Sequence, residues 1–378
     1  MSGLNLRKGV SKARDPVVAA RELHAAIGQP DTSLAIFFCS ADLDREALAG
    51  ELRRLFGATP LIGCTTAGEI TPLGYLDGAI TGVSLASPRL VALTHRTDDL
   101  ASFRFSEGER SARELLTRFR HRYPPRGADD TFGLLLIDGL SNQEESFVSA
   151  LSRGLGEVRL FGGSAADGTR FGETFVYHEG EFHRDAALVT LVQTDFPFSV
   201  FKTQHFEASE EKMVVTEASP SQRLVTEING EPAGREYARA VGLSDIEELT
   251  PLVFATYPVV VRLGGQPYVR SIQKVNPDES LTFFCAIDEG IVLTVARGID
   301  IVENLEQAFR EVRRAVGPPA LVLGCDCILR NIECGQKNVK EAIGRIFMEN
   351  NVIGFATYGE QFNAMHVNQT FTGVAIGG

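Results

Sequence analysis

No apolar run in these 378 residues approaches the roughly 20 needed to cross a bilayer. The longest pieces are of the kind LAIFF, LLLI and ALVTLV, so no transmembrane helix and no membrane partner are expected. No secretory leader is expected either, because the basic stretch MSGLNLRKGVSKAR runs into Asp15 and Pro16 where an apolar core would have to begin. Positive charge is not in excess. The formal net charge of −12 argues against nucleic acid or anionic lipid as a partner, and the basic residues from Arg118 to Arg122 alternate with apolar ones as a solvated helix face does. Cysteine is too sparse for a disulfide framework: Cys39, Cys64, Cys285, Cys325, Cys327 and Cys334 are spread through a long chain, which fits free thiols in a cytoplasmic protein. P-loop, Rossmann and zincin motifs are absent, and GGSAADG lacks the lysine that phosphate transfer wants.

What the chain does contain is a repeat. LIGCTTAGE (61–69), LFGGSAADG (160–168) and VIGFATYGE (352–360) each run from an apolar step through glycine and small residues to an acid or glycine. Upstream of each lies a strand-like run, LAIFFCS (34–40), GLLLIDG (133–139) and ALVLGCDC (320–327), joined to it by a segment of helical period. Leu34 to Leu61 and Gly133 to Leu160 are both 27 positions, while Ala320 to Val352 is 32. A further apolar strand follows each string (GAITGVSLAS, DAALVTLVQT, QTFTGVAIGG), and an amphipathic helix precedes each first strand (VVAARELHAAI, RSARELLTRFRHR, VENLEQAFREVRRAV). The unit is helix, strand, helix, strand, glycine loop, strand. Strands joined through a helix run parallel, so the glycine loops and the FFCS, IDGL and GCDC segments all leave carboxyl ends, where open α/β sheets bind ligands.

Between about Phe196 and Leu293 the texture changes to alternating runs, FSVFKTQHF, RLVTEING, PLVFATYPVVVRLGG, YVRSIQKV and SLTFFCA. Turn signals stand at Asn229-Gly230, Gly264-Gly265 and Asn276-Pro277-Asp278, and one helical segment, PAGREYARAVG, interrupts them. The expected fold is therefore α/β with mixed sheets in two domains. Residues 1–220 hold two repeat units, and residues 221–378 hold an antiparallel-rich insertion plus the third.

Taken together, GCTTAGEI, FGGSAADG, INGEPAGREYARAVG, YPVVV with YVRSI, and GFATYGEQF with HVNQTF resemble the FIST proteins, with paired N-terminal and C-terminal FIST domains, over roughly residues 30 to 376. The resemblance implies a bacterial ligand-sensing, signal-transducing protein without catalysis. Within it, DCILRNIE (326–333) is similar to the nitric-oxide-sensing NosP type, which implies an iron–sulfur cluster or haem as cofactor and a histidine kinase or cyclic-di-GMP enzyme as partner. No kinase, methyl-acceptor or GGDEF segment accompanies the repeats, so the signal would pass to another protein, with a homodimer as a further possibility.

The candidate sites follow. GCDCILRNIEC places three thiols within ten positions, and thiolates bind soft metals. Cys325, Cys327 and Cys334 suit a three-cysteine-ligated iron–sulfur cluster with an open iron; alternatively they are small buried residues closing a strand. Haem would need an axial ligand, for which His205 and His366 are the candidates. A metal-free pocket for an amino-acid-like ligand would draw on Arg330, Tyr358, Glu360, Tyr257, Tyr268 and Arg270, since arginine grips carboxylates bidentately. Cys64 stands where a nucleophile could be presented, although no histidine pairs with it by position.

Overall fold

A computed structural model describes residues 3–127, 129–263 and 266–378, so the Gly264-Gly265 turn lies outside the described residues. The first unit begins with strand β1 (Asn5–Ser11), helix α1 (Pro16–Ile27), β2 (Leu34–Ser40), α2 (Arg45–Phe56) and β3 (Leu61–Thr66). A hairpin of β4 (Glu69–Thr71) and β5 (Gly74–Leu76) follows, and then β6 (Ile80–Ala86). The second repeats the order: β7 (Leu90–Thr97), α3 (Phe105–Arg122), β8 (Thr131–Ile137), α4 (Glu144–Leu155), β9 (Arg159–Ser164), the hairpin β10 (Val176–His178) and β11 (Glu181–His183), and β12 (Ala187–Thr194).

The third unit opens with β13 (Phe198–Gln204) and is then interrupted by the insertion. That insertion comprises β14 (Phe206–Ser219), β15 (Leu224–Ile228), β16 (Glu231–Pro232), α5 (Ala233–Ala240), α6 (Pro251–Thr256), β17 (Val259–Leu263), β18 (Gln266–Arg270), β19 (Ile272–Val275), β20 (Leu281–Phe283) and β21 (Val292–Gly298). The unit resumes with α7 (Ile301–Val316), β22 (Pro319–Cys327), α8 (Ile328–Gln336), α9 (Lys340–Glu349) and β23 (Val352–Thr357). It closes with the hairpin β24 (Glu360–Phe362) and β25 (Met365–Val367) and the strand β26 (Thr370–Gly377). Pro220, the expected domain boundary, opens the short turn between β14 and β15.

Local chemistry marks the helix ends. Asp15 accepts from the Val17 and Val18 amides at 2.9 Å to cap α1, and Asp300 does the same for α7. Glycines with positive φ stop α2, α4 and α7 at Gly57, Gly156 and Gly317. In the insertion, PLVFAT reads as strand in the sequence but forms α6, because Pro251 sits at the first helical position, where it lacks only an amide that has no partner anyway.

The sheets show a relation that the repeat alone does not reveal. Within each unit the first and second strands pair in parallel, β2 with β3, β8 with β9 and β22 with β23, as expected. Each hairpin, however, leaves its own unit. β10 of the second unit pairs with β3 of the first, β24 of the third with β9 of the second, and β4 of the first with β23 of the third. The resulting orders are β1-β6-β2-β3-β10-β11, β7-β12-β8-β9-β24-β25 and β13-β26-β22-β23-β4-β5, three equivalent sheets closed into a ring by exchanged hairpins.

The inner faces of the three sheets share one core. Ile36, Phe38, Leu134, Leu136, Leu323 and Phe355 belong to a single cluster drawn from all of them. The outer faces pack separately, on α1 and α2, on α3 and α4, and on α7 and α9. This packing explains the glycine that recurs in the three strings. A Cβ on Gly63, Gly162 or Gly354 would collide with the carbonyl oxygen of Phe37, Leu135 or Gly324 on the parallel neighbour. The insertion has its own core around Tyr237, Phe254, Val259, Phe283 and Leu293.

Candidate functional site

The carboxyl ends of the parallel strands meet at one end of the ring. Ala67, Ala166 and Tyr358, equivalent positions of the three glycine strings, lie in one cluster with Leu140, Cys327 and Ile328, and the insertion covers it with Ala255 and Phe284. The three junctions between units differ.

At the third-to-first junction the edge is filled by an ionic chain. The extra length of the third connection folds as α8, and Arg330 on it is fully buried. Its Nε donates to Asp326 at 2.6 Å, its Nη1 lies 2.7 Å from His205 Nδ1, and His205 Nε2 lies 2.8 Å from Glu333. Lys337 donates to Glu333 at 2.7 Å, and the Tyr75 hydroxyl, from the first unit's hairpin, reaches Asp326 at 3.3 Å. Burial pushes the His205 imidazole down to about 4. Burial alone would raise Glu333, but His205 and Lys337 hold it below its usual range. Arg330 is thus the buried counter-charge of Asp326, with its Nη2 left without a partner among the described residues.

At the second-to-third junction Tyr358 closes the second glycine string. Its hydroxyl donates to Asp167 and lies 2.9 Å from the Gly168 carbonyl, and its ring stacks on Phe171 at 4.7 Å. Burial alone would raise Asp167; the Tyr358 hydroxyl and the amides of Glu173, Gly172 and Phe171 bring it below its ordinary value. Glu360 is fully buried, accepts from the Thr370 amide at 3.1 Å and its hydroxyl at 2.7 Å, and is raised well above the carboxylate range by burial. Tyr358 and Glu360 therefore lock loops. Tyr257 and Tyr268 pack against the core of the insertion, where the Tyr257 carbonyl accepts from Tyr237 at 2.6 Å. Arg270 lies apart, half-buried and 3.5 Å from the His366 carbonyl.

The first-to-second junction is open. A cleft of about 330 Å³ is lined there by Ser40 at the end of β2 and Asp42 beyond it, Thr66 to Glu69, Asp77 just after the first hairpin, and Asp167 to Arg170. Arg170 of the second unit reaches Asp42 of the first at 2.6 Å, and both side chains are largely exposed. Glu69 forms the floor, with burial pushing its carboxyl up to about 8. Gly68 and Gly168 have positive φ, which keeps the loop backbones small and close to the cleft. Asn331, 8 % exposed, lies beside Gly68 with its carbonyl oxygen unpartnered. Asp42, Asp77, Asp167 and Arg170 were not among the expected site residues. The signal for them was the strand-end position alone, and Glu69 carried the same mark as Glu360, the acid that ends the string.

The cysteines do not converge. β22 alternates, so Cys325 faces the shared inner core with Leu321 and Leu323, whereas Cys334 on α8 packs in the outer cluster with Val322. Cys327 faces the strand-end cluster. All three are buried, and burial raises their thiols, that of Cys334 to about 12. Cys325 fills the inner-core place that Phe38 and Leu136 take in the other units. Among the described residues no group of three or more His, Cys, Asp or Glu is placed to hold a metal ion. The donor set therefore does not fit a three-cysteine cluster, because the sheet stands between two of its members.

Both ring nitrogens of His205 are engaged, whereas the His366 ring packs on Gly359 with its Nε2 buried and without a partner among the described residues. Cys64 lies in the inner core, with its thiol raised by burial. No helix among the described residues is long and apolar enough to cross a membrane.

Comparison with known proteins agrees with this architecture. The FIST N domain matches residues 33–231 and the FIST C domain residues 233–363. An uncharacterised protein of Methanocaldococcus jannaschii is 24% identical over 402 residues, spanning 96% of this chain and 76% of its own. A ring of three exchanged units, carrying both domains in order, belongs to the FIST family of ligand-sensing signal-transduction proteins.

Proposed function

We propose that this protein is a receptor for a small zwitterion of the amino-acid kind, bound in the cleft between the first and second units. It hands its state to a separate signalling protein such as a histidine kinase or a cyclic-di-GMP enzyme. The observation that carries the proposal is the Arg170–Asp42 pair, opposite charges from two units 2.6 Å apart at the mouth of a 330 Å³ cleft. A ligand carboxylate takes the guanidinium fork of Arg170, and the ammonium takes Asp42, near Asp77, which Lys340 holds at 3.0 Å. Binding replaces one exposed ion pair, worth little in water, by contacts that tie two units together. An iron centre answering to nitric oxide finds less support, with its cysteines divided between two faces of a sheet.

Calorimetric titration with each of the twenty free amino acids tests the proposal. One chemical class should bind, and Arg170→Gln or Asp42→Asn should weaken that binding about tenfold or more. Binding of none, or binding unchanged in both variants, overturns it. So does a chromophoric iron centre after anaerobic reconstitution with iron and sulfide.

A further inference from the structure

The insertion contains a second and larger cavity, of about 950 Å³, walled by β14, β17, β18, β21 and the connection leading into β21. It owes its shape to a register slip. β14 pairs with β21 at Ala208–Ala296 and again at Lys212–Thr294, so four steps on one strand face two on the other and the intervening residues bulge outward. Ser209 and Glu210 on this bulge line the cavity.

Its charges are unusual for this chain. Lys212, Arg262 and Arg270 all line it, and among the described residues none of them forms a salt bridge to a carboxylate within 4.0 Å. Elsewhere in this acidic protein cations are commonly paired, as Arg21, Arg45, Arg170, Arg223 and Arg330 are. Three unpaired cations around one cavity are a standing attraction for an anion. Val261, Ile291 and Val292 supply apolar wall beside them, while Glu210 and Asp288 offset part of the charge. The volume lies near the upper end of the range for drug-sized ligands and far exceeds that of the strand-end cleft.

We propose that this cavity is a second ligand site, for an organic anion with an apolar body, its anionic group held by Arg270, Arg262 and Lys212. The site touches the ring at two points. Arg270 reaches the His366 carbonyl on the third hairpin at 3.5 Å, and the amide of Ala286, a lining residue, donates to Glu145 on α4 at 2.9 Å. An anion that draws Arg270 into the cavity takes it from the hairpin that the third unit lends to the second. The proposal is independent of the amino-acid reading of the strand-end cleft.

The test uses 1-anilinonaphthalene-8-sulfonate, an aromatic sulfonate whose fluorescence rises on binding, with the full chain. Saturable binding to one site is expected, with about tenfold weaker affinity in Arg270→Gln and in Lys212→Gln, the size of one lost charge-assisted contact. Arg110→Gln, an exposed change on α3, should bind as the parent does. N-phenyl-1-naphthylamine, the same body without the sulfonate, should bind at least tenfold more weakly than the sulfonate. Thermal unfolding of each variant shows that the lysine and arginine changes leave the fold intact. Sulfonate affinity unchanged in both variants, or equal affinity for the uncharged probe, overturns the proposal.

Discussion

Arg330 Nη1 lies 2.7 Å from His205 Nδ1, with both side chains fully buried. A guanidinium can only donate, so Nδ1 accepts, and the ring proton must stand on Nε2, where it is given to Glu333. Arg330→Met removes the donor and leaves Asp326 buried without its counter-charge. The expected loss is about 3–5 kcal/mol, read as a lower urea midpoint.

Two buried groups give the stability opposite pH slopes. His205 falls from its ordinary 6.5 to about 4, so the folded state binds fewer protons than the unfolded one between those values. Stability on its account is full above 6.5 and declines as the pH falls toward 4. Glu69 rises from 4.5 to about 8, so its contribution is full below 4.5 and declines as the pH rises toward 8. Burial is the cause of the rise, and the Thr66 hydroxyl at 2.5 Å and the Ala79 amide at 2.9 Å, both donating to Glu69, offset part of it. Glu69→Gln should flatten the alkaline limb, by on the order of a few kcal/mol, and leave the acid limb. Urea unfolding at pH 5, 7 and 8.5 distinguishes them.

Glycine substitutions separate packing from propensity. Gly354→Ala drives a methyl into the Gly324 carbonyl across the parallel pair, and it should cost about 2 kcal/mol or more. Gly335→Ala, on α8 with open space around it, should be neutral or stabilise by up to about 1 kcal/mol. Thermal melts of the two variants check the contrast.

A fragment ending at residue 231 contains the FIST N match but, of the third unit proper, only β13. Its second sheet lacks β24 and β25, and its own hairpin β4–β5 has no β23 to pair with. It should melt without a sharp calorimetric transition, whereas the full chain melts cooperatively.

The repeat was legible because close packing imposes it: Gly63, Gly162 and Gly354 are small where a neighbouring carbonyl leaves no room. Helices α1, α3 and α7 were legible from their amphipathic period. The exchange of hairpins was not, because strands of three residues such as β4 and β24 carry no period and their partners lie far away in the chain. Tyr358 and Glu360 are legible as strand-end residues, but their bonds to Asp167 and Thr370 are not, since a polar residue that holds a loop reads in sequence like one that binds a ligand. The cysteines misled through proximity in sequence. Nine positions along a strand and a helix put Cys325 and Cys334 on opposite faces of a sheet.

The exchanged hairpins also bear on how such a chain could arise. Three separate copies of one unit, each lending its hairpin to the next, would form a domain-swapped trimer with the strand order found in all three sheets. Joining those copies end to end yields the present ring without moving a strand. The third copy alone then accepts the long insertion, within itself between β13 and α7, while Cys325, Phe38 and Leu136 diverge around the former threefold axis.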